Sequence, residues 1–251
     1  MGRVIRGLLA MMVSIASALL LLITCSDETT EQDFAERRQA MVAEMLEPRG
    51  IDNPQLLDAM RTVPRHRFLP DAARGLAYLD SAVEIGWGAS IDRPEVVAVM
   101  TQAVAPLPTD RCLEIGTGSG YHAAVLAELC AEVVTVEYVA EFARFAAGNL
   151  RATGYDSHRV MVVNGDGYWG WPQRAPFNAV VVTAAVEQIP PPLLDQLAVG
   201  GRLVAPLDVR GTTQVLQLWT RRRPGGDPEA FDVRRLGRVP SVPLLKHPTT
   251  D

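Results

Sequence analysis

Apolar residues along most of the chain are grouped in segments of two kinds that alternate. Short, nearly continuous apolar runs, several of them rich in valine, are typical of strands that are buried on both faces. Between these runs, apolar residues recur at three- and four-residue spacing, which is typical of helices. The pattern predicts strands at 111–115, 132–137, 160–164, 179–183 and 201–206, with helices at 121–129, 141–153 and 193–197.

The alternation of strands and helices determines the expected fold class. It predicts an α/β domain with a doubly wound, mostly parallel sheet that has helices on both faces. Segments 214–220 and 233–242, near the carboxyl end, are predicted to form an antiparallel strand pair. Upstream of the sheet, helices are predicted at 34–46 and 54–60, followed by an extended, proline-bounded segment at 63–70.

The first 25 residues differ in character from the rest of the chain. Arg3 and Arg6 precede an apolar stretch at 8–23, an order that is typical of an export signal. The sequence Leu-Ile-Thr-Cys at 22–25 resembles the lipobox of bacterial lipoproteins, in which the cysteine is lipidated after cleavage, although Gly, Ala or Ser usually precedes that cysteine. An uncleaved membrane anchor and a mis-assigned start codon are the alternatives. A cell-envelope location is therefore expected, with membrane contact only through this segment.

Composition and charge limit the class of protein. The chain has 251 residues, of which 48% are hydrophobic and 21% are charged, the balance of an ordinary globular protein. After residues 1–25, the polar and acidic segment 26–36 is expected to be a tether, and 37–251 a single folded domain. The net charge of −5 offers no basic face for nucleic acid, so no nucleic-acid partner is expected. The sequence leaves the oligomeric state open.

Two cysteines, Cys112 and Cys130, lie in apolar surroundings within the predicted domain. Buried cysteines commonly act as small hydrophobic residues, so two buried thiols are expected. A disulfide is conceivable if the domain is exported, but the sequence does not supply the geometry that a disulfide requires. The spacing of the two cysteines matches no zinc or redox motif, and no metal site is expected.

A glycine-rich turn follows the first predicted strand of the sheet. It reads Glu114-Ile115-Gly116-Thr117-Gly118-Ser119-Gly120-Tyr121 and leads into a predicted helix. Glycines allow the backbone to turn tightly at such a place and let a ligand approach closely. A dinucleotide-binding turn has its third glycine at the position where this chain has Tyr121. Nicotinamide binding therefore remains an alternative, as does an ordinary strand-to-helix turn.

Carboxylates also follow the next two predicted strands. Glu137, 23 residues after Glu114, ends the second strand, where it is placed to accept hydrogen bonds from both ribose hydroxyls of an adenosine. Asp166 follows the third strand, where a carboxylate flanked by glycines can meet the exocyclic amine of adenine. The carboxyl ends of parallel strands form the usual ligand crevice of open α/β sheets. The predicted cofactor-binding residues are Glu114, Gly116, Thr117, Gly118, Ser119, Gly120, Glu137, Asp166 and Gly167.

The segment from Arg111 to Tyr121 resembles the first motif of the protein-L-isoaspartate O-methyltransferases, which use S-adenosylmethionine (AdoMet). Segments 165–168 and 176–185 are similar to the third- and fourth-strand segments of that family. Three N-terminal segments that general methyltransferases lack also occur in the family's order, and the resemblance covers roughly residues 37–246. The three N-terminal segments are Arg49-Gly50-Ile51, Val63-Pro64-Arg65 and Phe68-Leu69-Pro70.

The resemblance implies a Rossmann-like methyltransferase domain that takes AdoMet as methyl donor and needs no metal. The family methylates the free carboxylate of isoaspartyl residues in damaged proteins and peptides. The methyl ester then closes to a succinimide, so the net effect is repair. A carboxylate is already nucleophilic at neutral pH, so the protein has to align it and exclude water rather than supply a strong base. The scattered histidines, His66, His122, His158 and His247, are accordingly expected to be structural or exposed.

Two departures from the family pattern lie near the expected reaction centre. The residue after the tyrosine of the glycine motif is usually Gln and is here His122. The substrate loop is usually Gly-Gln-Thr-Ile-Ser, followed by Gln or Ala and then Pro. Here it reads Gly88-Ala89-Ser90-Ile91-Asp92-Arg93-Pro94. Asp92 thus replaces the serine that the family is thought to use beside the substrate carboxylate, and Asp92 and Ser90 are the predicted catalytic residues.

The altered substrate loop keeps two other functions open. One is a degenerate relative that binds AdoMet or a peptide without turnover, and the other is a methyltransferase for a different acceptor. Arg93 could neutralise Asp92 or point to solvent. Because AdoMet is made in the cytosol, the cytoplasmic location that is usual for the family is the alternative to the cell envelope.

Overall fold

The computed structural model describes residues 29–86, 88–209 and 213–239. The expected signal at 1–25 and the last residues of the predicted strand 233–242 lie outside this part. The chain divides into two compact units, Met1–Phe34 and Ala35–Asp251. In the first unit, the Thr30 hydroxyl accepts from the Asp33 amide at 3.1 Å and the Asp33 carboxylate accepts from the Thr30 amide at 2.8 Å, a reciprocal helix cap. The helices of the described part include none with the length and apolar character that crossing a membrane requires.

The strands confirm the α/β class that the sequence predicts. They are β1 Val83–Gly86, β2 Ala89–Ile91, β3 Arg111–Ile115, β4 Glu132–Glu137, β5 Val160–Asn164, β6 Phe177–Val182, β7 Leu197–Val209, β8 Thr213–Arg221 and β9 Phe231–Val239. Seven of them form one sheet in the order β5-β4-β3-β6-β7-β8-β9, and β1 and β2 form a separate antiparallel hairpin. Pairing is parallel from β5 to β7 and antiparallel for β7–β8 and β8–β9.

The described α-helices lie close to their predicted positions, except for Pro94–Val104, which the sequence analysis did not predict. They are α1 Glu31–Ala40, α2 Pro54–Thr62, α3 Pro94–Val104, α4 Tyr121–Ala127, α5 Ala140–Ala152 and α6 Pro191–Asp195. A π-helical segment, Met41–Leu46, continues α1. Residues 31–36, which the sequence analysis places in a tether, are helical and form the first turns of α1.

The segment 63–70 is not extended as predicted, because Arg65–Phe68 forms a 3-10 turn. The Arg67 amide donates to the Pro64 carbonyl at 2.8 Å and thereby closes the turn. A proline restricts its neighbours to extended backbone on its N-terminal side, but its own fixed φ is also suited to the start of a helical turn. The turn buries Arg65 and Phe68 completely, which decides between the two conformations.

The middle of the sheet supplies most of the core. Val180, Val181 and Val182 are consecutive in β6 and are all fully buried, as expected of a parallel strand that is covered on both faces. Leu113 in β3 and Val134 in β4 are fully buried beside them. Burial of each such side chain contributes about 1.5–3 kcal/mol, so the strand ends are held on a rigid base.

The expectation of two buried thiols is wrong. Cys112, the second residue of β3, and Cys130, which follows α4, form a disulfide with a Cα–Cα distance of 6.3 Å. The two residues are 18 positions apart, and the chain between them contains the whole glycine-rich turn. Cys112 is fully buried and Cys130 is 8% exposed, so the bond is shielded from solvent.

Candidate active site

A cavity opens at the carboxyl ends of β3, β4 and β6. Strand β2, Val97 of α3 and the first turns of α4 and α5 complete its wall. Its lining residues are Ala89, Ser90, Ile91, Asp92, Val97, Glu114, Ile115, Gly116, Thr117, Gly118, Ser119, Tyr121, His122, Val136, Glu137, Tyr138, Val139, Phe142, Gly167, Thr183 and Ala184. The cavity therefore lies where open parallel sheets usually bind ligands.

The glycine-rich turn brings backbone to the floor of the cavity. Gly116 has φ +93°, and a Cβ at this position would lie 2.4 Å from Thr183 Oγ1. The Thr183 hydroxyl donates to the Gly116 carbonyl at 2.8 Å and holds the turn against the end of β6. Gly167 is restricted in the same way, since its Cβ would lie 2.4 Å from Ile115 Cγ2. Both positions therefore require glycine.

Glu137 is the last residue of β4 and is 7% exposed. Its Oε2 accepts from the Gly118 amide at 2.9 Å and its Oε1 accepts from the Val139 amide at 3.0 Å. Each carboxylate oxygen can accept more than one hydrogen bond, so both oxygens can still accept from a ligand. The two amides therefore orient Glu137 toward the cavity without using up its acceptor capacity.

Glu114, at the end of β3, is completely buried beneath the glycine-rich turn. Its Oε2 accepts from the Thr135 hydroxyl at 2.5 Å, and the Thr117 hydroxyl lies 2.6 Å from that of Thr135. Its Oε1 has no hydrogen-bond partner within the described residues. Burial raises the pKa of Glu114 to about 8, opposed by the Thr135 hydrogen bond and assisted by the negative charge of Glu137. Glu114 is therefore mostly protonated at neutral pH.

Two of the predicted cofactor residues do not line the cavity. Gly120, at φ +89°, precedes α4, and a Cβ there would lie 3.2–3.3 Å from Leu150 and Ala146. Its place in the structure is to let α4 pack against α5. Asp166 accepts from the Tyr168 amide at 2.9 Å and caps the short turn Gly167–Trp169 beyond β5. The other predicted cofactor residues all border the cavity.

Ser90 and Asp92, the two predicted catalytic residues, both line the cavity beside the glycine-rich turn. Ser90 lies in β2, and Asp92 follows that strand directly. Burial raises the pKa of Asp92 to about 6, and the positive charge of Arg65 opposes that shift. Asp92 is therefore mostly ionised at pH 7 and mostly protonated at pH 5.

Arg93 does not serve as the counter-ion of Asp92. Its guanidinium binds the Asp80 carboxylate at 2.9 Å and Glu95 at 3.0 Å, and Arg49 binds the same two carboxylates at 2.7 and 3.0 Å. Arg93 therefore neither neutralises Asp92 nor simply points to solvent, the two possibilities that the sequence left open, but belongs to a four-residue ion-pair network. The cation that acts on Asp92 is Arg65, whose Nη2 donates to the Asp92 backbone carbonyl at 2.6 Å.

His122 lines the cavity and is 6% exposed. Its Nε2 lies 2.8 Å from the Thr101 hydroxyl, which also donates to the Val97 carbonyl at 2.8 Å. Burial lowers the pKa of His122 to about 3, so the ring is neutral at physiological pH. Its Nδ1 has no partner within the described residues. The sequence analysis noted His122 as a departure from the family pattern and expected it to be structural or exposed. It did not identify Thr135, Thr183 or Arg65 as residues of the site, because their contacts join distant parts of the chain.

Within the described residues, no group of three or more His, Cys, Asp or Glu side chains could hold a metal ion.

Residues 36–247 match the family described as protein-L-isoaspartate(D-aspartate) O-methyltransferase. The protein-L-isoaspartate O-methyltransferase of Opitutus terrae is 48% identical over 223 residues, which are 89% of this chain and 94% of that protein. The protein-L-isoaspartate O-methyltransferase of Gloeobacter violaceus is 52% identical over 196 residues, which are 77% of this chain and 94% of that protein.

Solved structures show the same fold. A protein-L-isoaspartate O-methyltransferase structure superposes with a TM-score of 0.73 at 25% identity, over 82% of this chain, and this chain spans 65% of that protein's length. A Plasmodium falciparum structure assigned to the same methyltransferase, in complex with S-adenosyl-L-homocysteine, superposes with a TM-score of 0.72 at 24% identity, over 84% of this chain and 99% of that one.

Proposed function

Since the chain belongs to the protein-L-isoaspartate(D-aspartate) O-methyltransferase family, we propose that it is an AdoMet-dependent enzyme that methylates the free carboxylate of L-isoaspartyl residues. Its partners are then damaged proteins and peptides that contain isoaspartyl groups. The observation that carries the proposal is the cavity, which brings the glycine-rich turn, Glu137 and the Ser90–Asp92 segment to one place.

The cavity has the features that an adenosine-containing sulfonium cofactor requires. Glu137, oriented by two backbone amides, suits a ribose diol. The turn at Gly116 offers backbone instead of side chains, and the buried Oε1 of Glu114 is a polar atom that lacks a protein partner within the described residues. We assign seven residues to the AdoMet site, namely Glu114, Gly116, Thr117, Gly118, Ser119, Glu137 and Gly167. Gly120 positions α4, and Asp166 caps the turn Gly167–Trp169, which begins with one of these seven residues.

The chemistry asked of the protein is modest. AdoMet, when bound, supplies an electrophilic methyl group on a sulfonium sulfur. The acceptor carboxylate is a nucleophile without the help of a base, so the residues around it have to orient it and exclude water. We assign that task to Ser90 and to the protonated form of Asp92, which both line the cavity wall next to the glycine-rich turn.

Methyl transfer from radiolabelled AdoMet to matched peptides tests the proposal. An isoaspartyl peptide should be labelled and release its label on mild alkaline hydrolysis, as a methyl ester does, and the aspartyl peptide of the same sequence should not. AdoMet binding without labelling of either peptide would favour a degenerate relative without turnover. Labelling of another acceptor, with no preference for isoaspartate, would favour the alternative methyltransferase.

We expect Asp92→Ser to raise the rate of isoaspartyl methylation at pH 7.5 by roughly tenfold or more. Two negative charges about 5 Å apart repel by roughly 3 kcal/mol at an effective dielectric of about 20, so an ionised Asp92 should keep the acceptor carboxylate away. Because the pKa of Asp92 is raised to about 6, the parent enzyme should become faster as the pH falls from 7.5 toward 5.5. Rates at several pH values for both proteins measure this.

Two variants serve as controls for that experiment. Asp92→Asn removes the charge at constant size and should act like Asp92→Ser, whereas Asp71→Ser changes an exposed aspartate whose side chain is 89% exposed and should change nothing. If Asp92→Ser binds AdoMet normally but is no faster than the parent, charge at this position does not limit the reaction. The degenerate-relative and different-acceptor functions would then be preferred.

We further propose a location in the cell envelope, with the domain attached through its N-terminal segment as a lipoprotein or by an anchor. Arg3 and Arg6 before the apolar stretch favour retention of the N-terminus on the cytoplasmic side. The Cys112–Cys130 disulfide supports the same location, because disulfides persist mainly in oxidising compartments.

Fractionation and protease accessibility in cells are expected to place the domain in the membrane fraction and outside the inner membrane. Labelling with a fatty acid that depends on Cys25 would identify a lipoprotein, and membrane association that survives Cys25→Ala would identify an anchor. A soluble, uncleaved protein in the cytosol would rule out both.

A further inference from the structure

Arg65 is a completely buried arginine next to the Asp92 segment. Its Nε donates to the Ala77 carbonyl at 2.7 Å and its Nη2 donates to the Asp92 carbonyl at 2.6 Å. The guanidinium carbon lies 4.8 Å from the centre of the Tyr121 ring, at the end of the glycine-rich turn. Its Nη1 has no hydrogen-bond partner within the described residues. One guanidinium thus contacts three separate segments, of which those at Asp92 and Tyr121 line the cavity.

Burial of a cation such as Arg65 lowers the free energy of unfolding unless other groups compensate its charge. Taking a charge out of water requires a paired opposite charge or a full set of hydrogen bonds. Burial lowers the pKa of Arg65, and the groups that oppose this shift are Tyr121, Asp92 and Tyr78, of which Asp92 is the carboxylate. The hydrogen bond goes to the backbone of Asp92, so the side-chain carboxylate is influenced through space rather than held in a fork.

We propose that Arg65 is a positioning residue of the acceptor site, whose fixed positive charge is shared between Asp92 and the acceptor carboxylate. The proposal rests on the proposed function. Its guanidinium holds the Ser90–Asp92 segment in place through the Asp92 carbonyl. When Asp92 is ionised, its negative charge offsets the positive potential of Arg65 at the acceptor carboxylate. When Asp92 is protonated, that field acts on the acceptor carboxylate instead, because like charges compete for one cation.

Three of the other titratable groups of the cavity keep one protonation state between about pH 5 and 7, the range in which Asp92 titrates. The titratable groups that line the cavity with Asp92 are Glu114, Tyr121, His122, Glu137 and Tyr138, and Arg93, its neighbour in sequence, is bound to Asp80 and Glu95. Glu114, with a pKa of about 8, stays mostly protonated in this range, and His122, with a pKa of about 3, stays neutral. Burial raises the pKa of Tyr121, so its hydroxyl stays protonated as well.

Two substitutions of Arg65 separate charge from shape. Arg65→Met removes the charge and keeps an unbranched chain, whereas Arg65→Lys keeps a charge but loses the planar fork. In Arg65→Met, the pH at which isoaspartyl methylation falls off should rise by about one unit, since Asp92 loses the cation that favours its ionised form. The KM for the isoaspartyl peptide should rise about tenfold at pH 5.5, with a smaller change in kcat and in AdoMet affinity.

Arg65→Lys should keep the parental midpoint of the pH–rate profile, with a KM between those of the parent and Arg65→Met. Arg144→Met changes an arginine with a 73% exposed side chain and should match the parent in both quantities. In an Asp92→Ser background, Arg65→Met should still raise KM, but the pH dependence that Asp92 causes should be absent in both proteins. If Arg65→Met lowers thermal stability but leaves both midpoint and KM unchanged, the residue is only structural and the inference is overturned. If Arg65→Met does not fold, the same decision rests on KM in Arg65→Lys.

A measurement without turnover distinguishes failure of this inference from failure of the proposed function. In full-length protein labelled with ¹³C at the aspartate carboxyl groups, the resonance that disappears in Asp92→Asn should titrate at a lower pH in the parent than in Arg65→Met, and Arg65→Lys should retain the parental midpoint. Equal midpoints in all three proteins would overturn the inference even if methylation is observed. If the midpoint shifts but the protein methylates no peptide, the coupling between Arg65 and Asp92 is supported and the isoaspartyl carboxylate is rejected as the acceptor.

Discussion

Replacing Glu137 with alanine should weaken AdoMet binding by about 1.5–3 kcal/mol, the range for hydrogen bonds to a charged group. This corresponds to roughly a 10- to 150-fold increase in Kd. The change removes the proposed acceptor for the ribose hydroxyls. It also removes the bond from Gly118 that holds the glycine-rich turn to the end of β4, and the local bond from Val139 before α5. The fold should survive, because Glu137 ends its strand and supports no core packing. Calorimetric titration with AdoMet and thermal unfolding measure the two effects separately.

A matched control for Glu137 lies on the same strand. Glu132 begins β4 at the opposite edge of the sheet, where it pairs with Arg111 at 3.2 Å and Arg174 at 3.0 Å. Glu132→Ala should leave Kd unchanged, and Glu137→Gln, which keeps one carbonyl acceptor, should lie between parent and alanine variant. A folded Glu137→Ala protein that binds AdoMet with the parental Kd would refute the assignment of this carboxylate to the cofactor.

The sequence predicts the bounds of strands β3, β4 and β5 to the residue, because each is a short and mostly apolar segment of the length that is typical of a strand. The predictions are less accurate where polar or turn-forming residues lie inside a strand. Asn178 obscures the start of β6 at Phe177, and the glycines at 200–201 obscure the start of β7 at Leu197.

The parts of the site that the sequence could predict are those placed by a strand end. The glycine-rich turn and Glu137 follow strands β3 and β4 and come together because parallel strands end at one edge. Contacts between distant segments leave no such signal. Arg65 and Asp92 are 27 positions apart, and His122 and Thr101 are 21 apart. The counter-ion of Asp92 therefore could not be predicted, and Arg93 was considered because it is adjacent.

Loss of the Cys112–Cys130 disulfide should cost about 3 kcal/mol of unfolding free energy. The bond closes a loop of 18 positions, and the unfolded chain gains conformational freedom of about that size when such a loop is opened. For a domain of this size, the melting temperature should fall by roughly 6–12 °C. Cys130→Ala is the cleaner variant, because Cys112 is fully buried and its replacement would add a cavity to the core.

The control for the disulfide is the redox state itself. Parent protein refolded with reductant should melt at the temperature of Cys130→Ala, oxidised parent should melt higher, and the variant should not respond to reductant. Because the loop encloses the glycine-rich turn, AdoMet should also protect the reduced protein from proteolysis within residues 112–130. If thiol titration finds the bond formed but its reduction leaves the melting temperature unchanged, the unfolded chain is already restricted by other contacts. The disulfide would then contribute no stability to the strand, turn and helix that it joins.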